Sequence, residues 1–176
     1  SYNDISSSSY HVETLEFTYG TVKNLTEMWF TFQQADQDGN ITSAASDEYN
    51  YQNGGNDTIS GGNGNDILVG GKGNDSLKGE AGDDTYIWNS GDGFDTITEA
   101  SGTDKIVFGE GISFENLTFE RDGNILNIYV NNNKTQGIQI YNYFYSISSH
   151  VETLGFTDGT VKNLTALRFT LPPSDQ

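Results

Sequence analysis

The middle of the chain repeats a nine-residue pattern, in which a polar, glycine-rich stretch of six residues precedes three residues built around one apolar position. Residues 61–69 and 70–78 are consecutive copies and read GGNGNDILV and GGKGNDSLK. Side chains alternate along a strand, so the middle residue of a three-residue strand points inward. The eighth position is apolar in all six copies between 52 and 107: Ile59, Leu68, Leu77, Tyr86, Ile97 and Ile106. The pattern predicts short strands coiled around a narrow core.

The six-residue stretch of each copy predicts a sharp loop, because glycine adopts positive φ and has no Cβ to clash in the bend. One apolar residue in nine gives a core too thin to offset the entropy lost on ordering so many glycines. We therefore expect another interaction to hold the turns together. The period is nine, apart from one step of eleven. The sixth position of the loops is aspartate every time: Asp57, Asp66, Asp75, Asp84, Asp95 and Asp104.

Charge and composition indicate which partner these carboxylates bind. The chain has 25 acidic and 8 basic residues, a net charge of −17 and no cysteine. Such a chain is a poor ligand for nucleic acid or an anionic membrane, and it lacks thiolate zinc ligands. No apolar run approaches the roughly 20 residues of a membrane-spanning helix. Residues 52–104 hold ten acidic residues and two lysines, so four divalent ions would neutralise them. Carboxylates and glycine loops favour calcium.

The two consecutive nonapeptides match G-G-x-G-x-D-x-U-x at every fixed position, and in this they resemble the RTX, or haemolysin-type, calcium-binding family. The resemblance implies an all-β fold, a calcium-stapled parallel β-roll flanked and capped by antiparallel β segments. A glycine-rich acidic linker is the alternative, and it would not have an apolar eighth position. In the family, successive loops alternate between two sides of the roll, and each ion lies between loops two copies apart.

The resemblance therefore implies a set of metal ligands and roughly four calcium ions. The implied carboxylate pairs are Asp57 with Asp75, Asp66 with Asp84, Asp75 with Asp95, and Asp84 with Asp104. Loop carbonyls are expected to complete the coordination, for example at Gly61, Asn63, Gly70, Lys72 and Gly79.

A second repeat joins the two ends of the chain. Residues 11–26 recur at 150–165 with two differences, an offset of 139 residues. This indicates a slice of a longer tandem array, with neighbouring repeat units as partners. We expect residues 1–34 to be the tail of a preceding unit, 35–51 a linker, 52–107 the roll, 108–170 an antiparallel β cap and 171–176 a tail. The stretch 82–169 also resembles the region that commonly follows RTX repeats.

Few residues suggest other chemistry. His11 and His150 occupy equivalent repeat positions, and we interpret them as packed or surface strand residues. Asp36 to Asp47 hints at an EF-hand-like loop, but Ile41 replaces the required glycine. The aromatic residues at 141, 143, 144 and 145 either form cap core or stack on sugars.

The sequence thus favours a non-enzymatic, calcium-dependent folding module of a large secreted bacterial protein, such as a toxin or adhesin. The RTX resemblance implies export from a Gram-negative bacterium by a type I exporter, with no membrane insertion by this segment. The alternative is an adhesin module that binds a glycan or a surface, in which calcium is only structural. An activity of the parent protein, as toxin, adhesin or hydrolase, would lie on another segment.

Overall fold

The structure is a computed structural model, and it describes residues 14–16, 22–24, 29–32, 40–42, 48–52, 54–147 and 150–167. These residues form strands joined by short loops, with a 3-10 turn at Phe114–Asn116. Within this part of the chain, no helix has the length and hydrophobicity needed to cross a membrane. The strands are β1 (Thr14–Glu16), β2 (Val22–Asn24), β3 (Trp29–Phe32), β4 (Asn40–Thr42), β5 (Glu48–Tyr51), β6 (Thr58–Asn63), β7 (Ile67–Val69), β8 (Ser76–Ala81), β9 (Thr85–Trp88), β10 (Phe94–Ser101), β11 (Lys105–Phe108), β12 (Leu117–Asp122), β13 (Ile125–Val130), β14 (Asn133–Ile140), β15 (Thr153–Phe156) and β16 (Val161–Asn163).

Two seven-stranded sheets make up a β-roll, and successive strands from β3 to β11 alternate between them. One sheet has the order β12-β13-β14-β10-β8-β6-β4, and the other has the order β16-β15-β11-β9-β7-β5-β3. Every pair from β4 to β10 and from β3 to β11 is parallel. The expected all-β class and parallel β-roll are confirmed.

The core of the roll is the column of eighth-position side chains. All six are at most 2% exposed, and they belong to one hydrophobic cluster that continues into the C-terminal region. The inward direction inferred from strand alternation is therefore confirmed. At the step of eleven residues, the chain makes an extra turn in which the Asp92 N–H donates to the Asn89 carbonyl. That turn absorbs the two additional residues, and the next strand, β10, still pairs in parallel with β8.

The roll begins earlier than the nonapeptides do. Residues 35–51 were expected to be a linker, whereas β4 and β5 lie there and pair in parallel with β6 and β7. Asn50 lies beside Leu68 in the register and is fully buried, so it takes an eighth position. A polar residue at that position breaks the apolar pattern on which the sequence prediction depended.

The region after the repeats caps the roll by extending both of its sheets. β14 pairs in parallel with β10, and β15 pairs in parallel with β11. The antiparallel partners come outside them: β13 and β12 next to β14, and β16 next to β15. The cap is therefore antiparallel only at its outer edge. The hairpin turn between β12 and β13 is formed by Gly123 and Asn124, since Asp122 is still paired with Ile125.

The long sequence repeat is also a structural repeat. β1 and β2 form an antiparallel hairpin in which Thr14 pairs with Asn24. β15 and β16 form the same hairpin 139 residues later, with Thr153 paired with Asn163. Nearly identical sequences thus give the same register in both copies. His11, the EF-hand-like ends Asp36 and Asp47, and the tail 171–176 lie outside the described residues.

Candidate calcium sites

The sixth-position aspartates form two ladders, one along each side of the roll. In each ladder, the backbone N–H of one aspartate donates to Oδ1 of the aspartate two loops later. The donor–acceptor pairs are Asp57 to Asp75 at 2.8 Å, Asp66 to Asp84 at 2.7 Å, Asp75 to Asp95 at 3.0 Å, and Asp84 to Asp104 at 2.8 Å. The structure therefore brings together all four pairs that the RTX resemblance implied, including the two that span the eleven-residue step.

Residues at the fifth loop position form a further ladder on each side of the roll. Its hydrogen bonds run in the opposite direction, from the later loop to the earlier one. The N–H of Asn74 donates to Asn56 Oδ1 at 2.8 Å, and the N–H of Asp83 donates to Asn65 Oδ1 at 2.7 Å. The N–H of Phe94 donates in the same way to Asn74 Oδ1. Each loop is thus tied to the next loop on its side by one bond in each direction. This fixes the loop backbones, and with them the positions of the carboxylates.

The fourth-position glycines stack directly on one another. A Cβ on Gly82 would lie far closer than 3.0 Å to the Gly64 carbonyl oxygen, and a Cβ on Gly73 would meet the Gly55 carbonyl in the same way. Both residues also have positive φ, at 137° and 144°. Only glycine combines this φ with so close an approach of two backbones. The glycine at position four is therefore required by the stacking of the loops.

The aspartate carboxylates are buried, although they carry charge. All six sixth-position aspartates are at most 2% exposed, and the buried polar residues of the described chain include no lysine or arginine. The salt bridge from Lys134 to Glu120 lies on the surface. Burying an ionised carboxylate without a counter-charge is costly. These sites therefore need a cation from outside the chain.

The pKa values of these groups show the same need. Burial raises the pKa of Asp95 to about 8 and the pKa of Asp104 to about 7. A carboxyl with a raised folded pKa stabilises the fold below its unfolded pKa, and this contribution is lost as the pH rises through the folded pKa. At neutral pH, the ionised carboxylates therefore oppose folding of the metal-free chain. A bound cation would reverse the effect, because opposite charge favours the ionised form.

Two carboxylates at the aspartate ladders, those of Glu99 and Glu152, were not identified from the nonapeptide pattern. Glu99 takes the first position of its loop, where three of the other loops have glycine, and its side chain is 4% exposed. The hydroxyl of Tyr86, an eighth-position residue, donates to Glu99 Oε1. Carboxylate oxygens of Glu99, Asp84 and Asp104 all lie within 4.8 Å of one another. The sequence shows that Glu99 is charged, but it does not show that the side chain points inward, toward Asp84 and Asp104.

Glu152 occupies the sixth position of an additional loop, immediately before β15. The N–H of Asp104 donates to Glu152 Oε2 at 2.6 Å, the same bond that the aspartates make with one another. One signal was available in the sequence: Glu152 precedes a strand, and Glu13 stands at the same place in the long repeat. On the other side of the roll, Ile138 pairs with Asp95, so that ladder ends in an apolar residue.

The residues expected to offer carbonyl ligands lie in the same loops. Gly61, Gly70 and Gly79 lie against the carboxylates of their own loops, since a Cβ on each would come within 3.0 Å of Oδ2 of Asp66, Asp75 and Asp84 respectively. Asn63 ends β6 and pairs with Ala81, and Lys72 bridges to Gly54 in parallel. Their roles as ligands remain predictions.

The donors available in these loops fit calcium. Calcium takes six to eight oxygen ligands and tolerates flexible geometry, whereas soft metals prefer sulfur or imidazole. The ladders offer carboxylate and backbone oxygens in loops that have no cysteine or histidine. Asp104 is 1% exposed, and among the described residues its Oδ2 has no hydrogen-bond partner. An orphaned, buried carboxylate oxygen of this kind is what a metal site leaves when the ion is removed.

The fold and these sites define a class of protein, the parallel β-roll with metal-binding loops. Residues 51–86 match the model of the RTX calcium-binding nonapeptide repeat, in four copies, and residues 126–165 match the haemolysin-type calcium-binding protein related domain. The resemblance inferred from the sequence is confirmed: the chain carries RTX calcium-binding repeats followed by the haemolysin-type related domain. RTX repeats are typical of secreted bacterial proteins. A search of curated proteins found no match to the chain.

Proposed function

We propose that this chain is a non-enzymatic folding module of a larger secreted protein, and that calcium binding drives its folding outside the cell. The observation that carries the proposal is the pair of buried aspartate ladders, in which loops two copies apart share carboxylates. Ligands from different loops come together only in the folded chain. Binding free energy is therefore also folding free energy.

The number of ions follows from the ladders. Four aspartate pairs support roughly four calcium ions, and their charge would cancel the net −8 of residues 52–104. Extracellular calcium modules have a Kd of about 10⁻⁴–10⁻³ M. Sites of that affinity stay empty in low-calcium cytosol and fill outside the cell. The low-calcium chain would be extended by its own charge repulsion.

This switch suits export by a type I exporter of a Gram-negative bacterium. An unfolded chain can be threaded through a channel, and folding at the exit would hinder its return. Small-angle X-ray scattering tests the size change directly. For 176 residues, we expect a radius of gyration of about 44 Å in chelator and about 16 Å in millimolar calcium. A chain that is compact in both conditions would contradict export in an unfolded state.

Far-UV circular dichroism tests the folding step itself. We expect a β spectrum in millimolar calcium and a disordered spectrum after chelation. Magnesium is the matched control, because it demands a small octahedral shell and gives up its waters reluctantly. It should not restore the β spectrum at the same concentration. A β spectrum that persists in chelator would rule out the calcium switch.

A second candidate function, binding of a glycan or surface, has its own observation. An open hollow of about 300 Å³ is lined by aromatic and polar residues of the cap, including Tyr143, Tyr145 and His150. Tyr145 is 77% exposed, whereas Tyr143 is buried and stacks on His150 at 4.5 Å. The cluster is therefore divided into core and surface members. A glycan array with calcium present would detect binding, and Tyr145→Ala should abolish it without changing the fold.

A further inference from the structure

One loop of the roll has a carboxylate at its first position. Glu99 stands where the second, third and fourth loops have Gly61, Gly70 and Gly79. Its side chain lies in the space beside Gly79. A Cβ on Gly79 would come within 3.0 Å of three oxygens at once: Asp84 Oδ2, Glu99 Oε1 and the Tyr86 hydroxyl.

Three carboxylates therefore meet between the loops at 79–84 and 99–104, where the other aspartate pairs provide two. Carboxylate oxygens of Asp84, Glu99 and Asp104 lie within 4.8 Å of one another, and all three residues are buried. Asp104 Oδ2 is buried and has no hydrogen-bond partner in the described part of the chain. The orphaned oxygen is independent evidence that this cluster surrounds a cation.

Tyr86 holds the third carboxylate in place. Its hydroxyl donates to Glu99 Oε1, and the Ala100 N–H donates to Glu99 Oε2 at 3.2 Å. The eighth-position residues of the other five nonapeptide copies are Ile or Leu, which have no polar atom to offer. The Tyr86 ring still fills the core column, since the residue is 1% exposed.

We propose that Glu99 is a third carboxylate ligand of the ion between Asp84 and Asp104, and that this site binds calcium most tightly and fills first. The inference rests on the proposed calcium-dependent function, and it adds an order in which the sites fill. The affinity of oxygen-ligand calcium sites rises with the number of charged ligands and with their rigidity. Glu99 increases the number of charged ligands at this site, and the hydrogen bond from the Tyr86 hydroxyl increases their rigidity.

Calorimetric calcium titration of Glu99→Gln tests the proposal. Glutamine keeps the size of the side chain and can still accept the Tyr86 hydrogen bond, so only the charge is lost. We expect the tightest site to weaken about tenfold or more. Glu110→Gln is the matched control, because Glu110 lies exposed in a turn after β11 and should leave the titration unchanged. If the first ion binds Glu99→Gln as tightly as wild type, or more tightly, Glu99 is not its ligand.

Terbium luminescence tests the same site in the unaltered chain. Terbium emits when a nearby aromatic ring passes it energy, and Tyr86 is the tyrosine whose hydroxyl reaches these carboxylates. The first equivalent of terbium should therefore give more sensitised emission than any later one, and Tyr86→Phe should reduce it. Emission that grows evenly with each equivalent would overturn the proposal. If wild type folds with calcium but fails this test, the order of filling is wrong and the proposed function stands; if wild type binds no calcium, the proposed function fails as well.

Discussion

The nonapeptide roll and the cap that follows it use the same parallel pairing but are held together by different forces. In the roll, each nine-residue copy buries its eighth-position side chain and its sixth-position carboxylate. In the cap, β13 alone buries Leu126, Ile128 and Val130, and aromatic rings pack in pairs. Phe108 stacks on Phe156 at 5.6 Å between centroids, and Phe114 meets Phe156 edge-on. The cap is stabilised by hydrophobic burial, whereas the roll buries carboxylates that we propose are held by calcium ions.

The two regions nevertheless depend on each other. β14 and β15 pair in parallel with β10 and β11, so the cap is built on the last turn of the roll. The cap in turn covers edges that would otherwise present unpaired backbone groups. Calcium loss should therefore unfold the roll directly and the cap through its missing partner strands. Substitutions can separate the two contributions, because they change either the ion count or the apolar burial.

The largest effect is expected from Asp75, which belongs to two aspartate pairs. It accepts from the Asp57 N–H and donates its own N–H to Asp95. Asp75→Ala should therefore lose two of roughly four calcium ions, as counted by calorimetry. Asp57→Ala should lose only one, because Asp57 belongs to one of the four pairs. Equal losses in the two variants would contradict ion sharing between loops two copies apart.

Asp75→Asn separates charge from hydrogen bonding at the same position. The amide oxygen can still accept from Asp57, so the ladder is kept while one negative charge is removed. We expect the ion loss to remain and the calcium-saturated fold to be less disturbed than in Asp75→Ala. Circular dichroism at saturating calcium measures the second part.

Phe156→Ala is the matching test in the cap. Removing this ring should lower the free energy of unfolding by about 3–5 kcal/mol, as for other buried Phe→Ala changes. The calcium stoichiometry should stay that of wild type, since Phe156 packs against Phe108 and Phe114, which are not loop aspartates. Thermal unfolding at saturating calcium and calorimetry measure the two quantities. A lost ion would show that the cap and the roll are not separable in this way.

The sequence was sufficient for those parts of the roll where one residue type has one role. The buried eighth positions follow from the spacing, and the aspartate pairs follow from the RTX resemblance, because every copy repeats the same backbone. The role of Glu99 could not be predicted in this way, because a glutamate at a glycine position is only a mismatch to the nonapeptide pattern. The start of the roll was not predicted for a similar reason, because Asn50 is a polar residue at an eighth position. The parallel pairing of β14 and β15 depends on which sheet edge is open, which no local pattern records.

Gly82→Ala should have the next largest effect on stability, because it blocks the stacking of two loops. The added methyl group would collide with the Gly64 carbonyl, and the φ of 137° is unfavourable for alanine. Gly91→Ala is the control, because Gly91 also has positive φ but has nothing within 4 Å of its Cβ position. In the control, only the unfavourable backbone conformation should lower the free energy of unfolding, by roughly 1–2 kcal/mol. Gly82→Ala should cost more and raise the calcium concentration needed for folding. Equal midpoints in a calcium titration of the β spectrum would show that close approach does not matter.

The smallest effect is expected from the asparagine ladder on the outside of the loops. Asn65 Oδ1 accepts from the Asp83 N–H at 2.7 Å, and the bond is exposed. In Asn65→Ala, water can replace the lost acceptor, so the cost should be about 1 kcal/mol, the net value of an ordinary hydrogen bond. Asn124→Ala, in the exposed turn between β12 and β13, is the control and should be neutral. Chemical unfolding at saturating calcium gives both values, and calorimetry should find the wild-type ion count in each variant. A lost ion in Asn65→Ala would mean that the fifth-position ladder, and not the aspartate ladder alone, sets the geometry of the calcium sites.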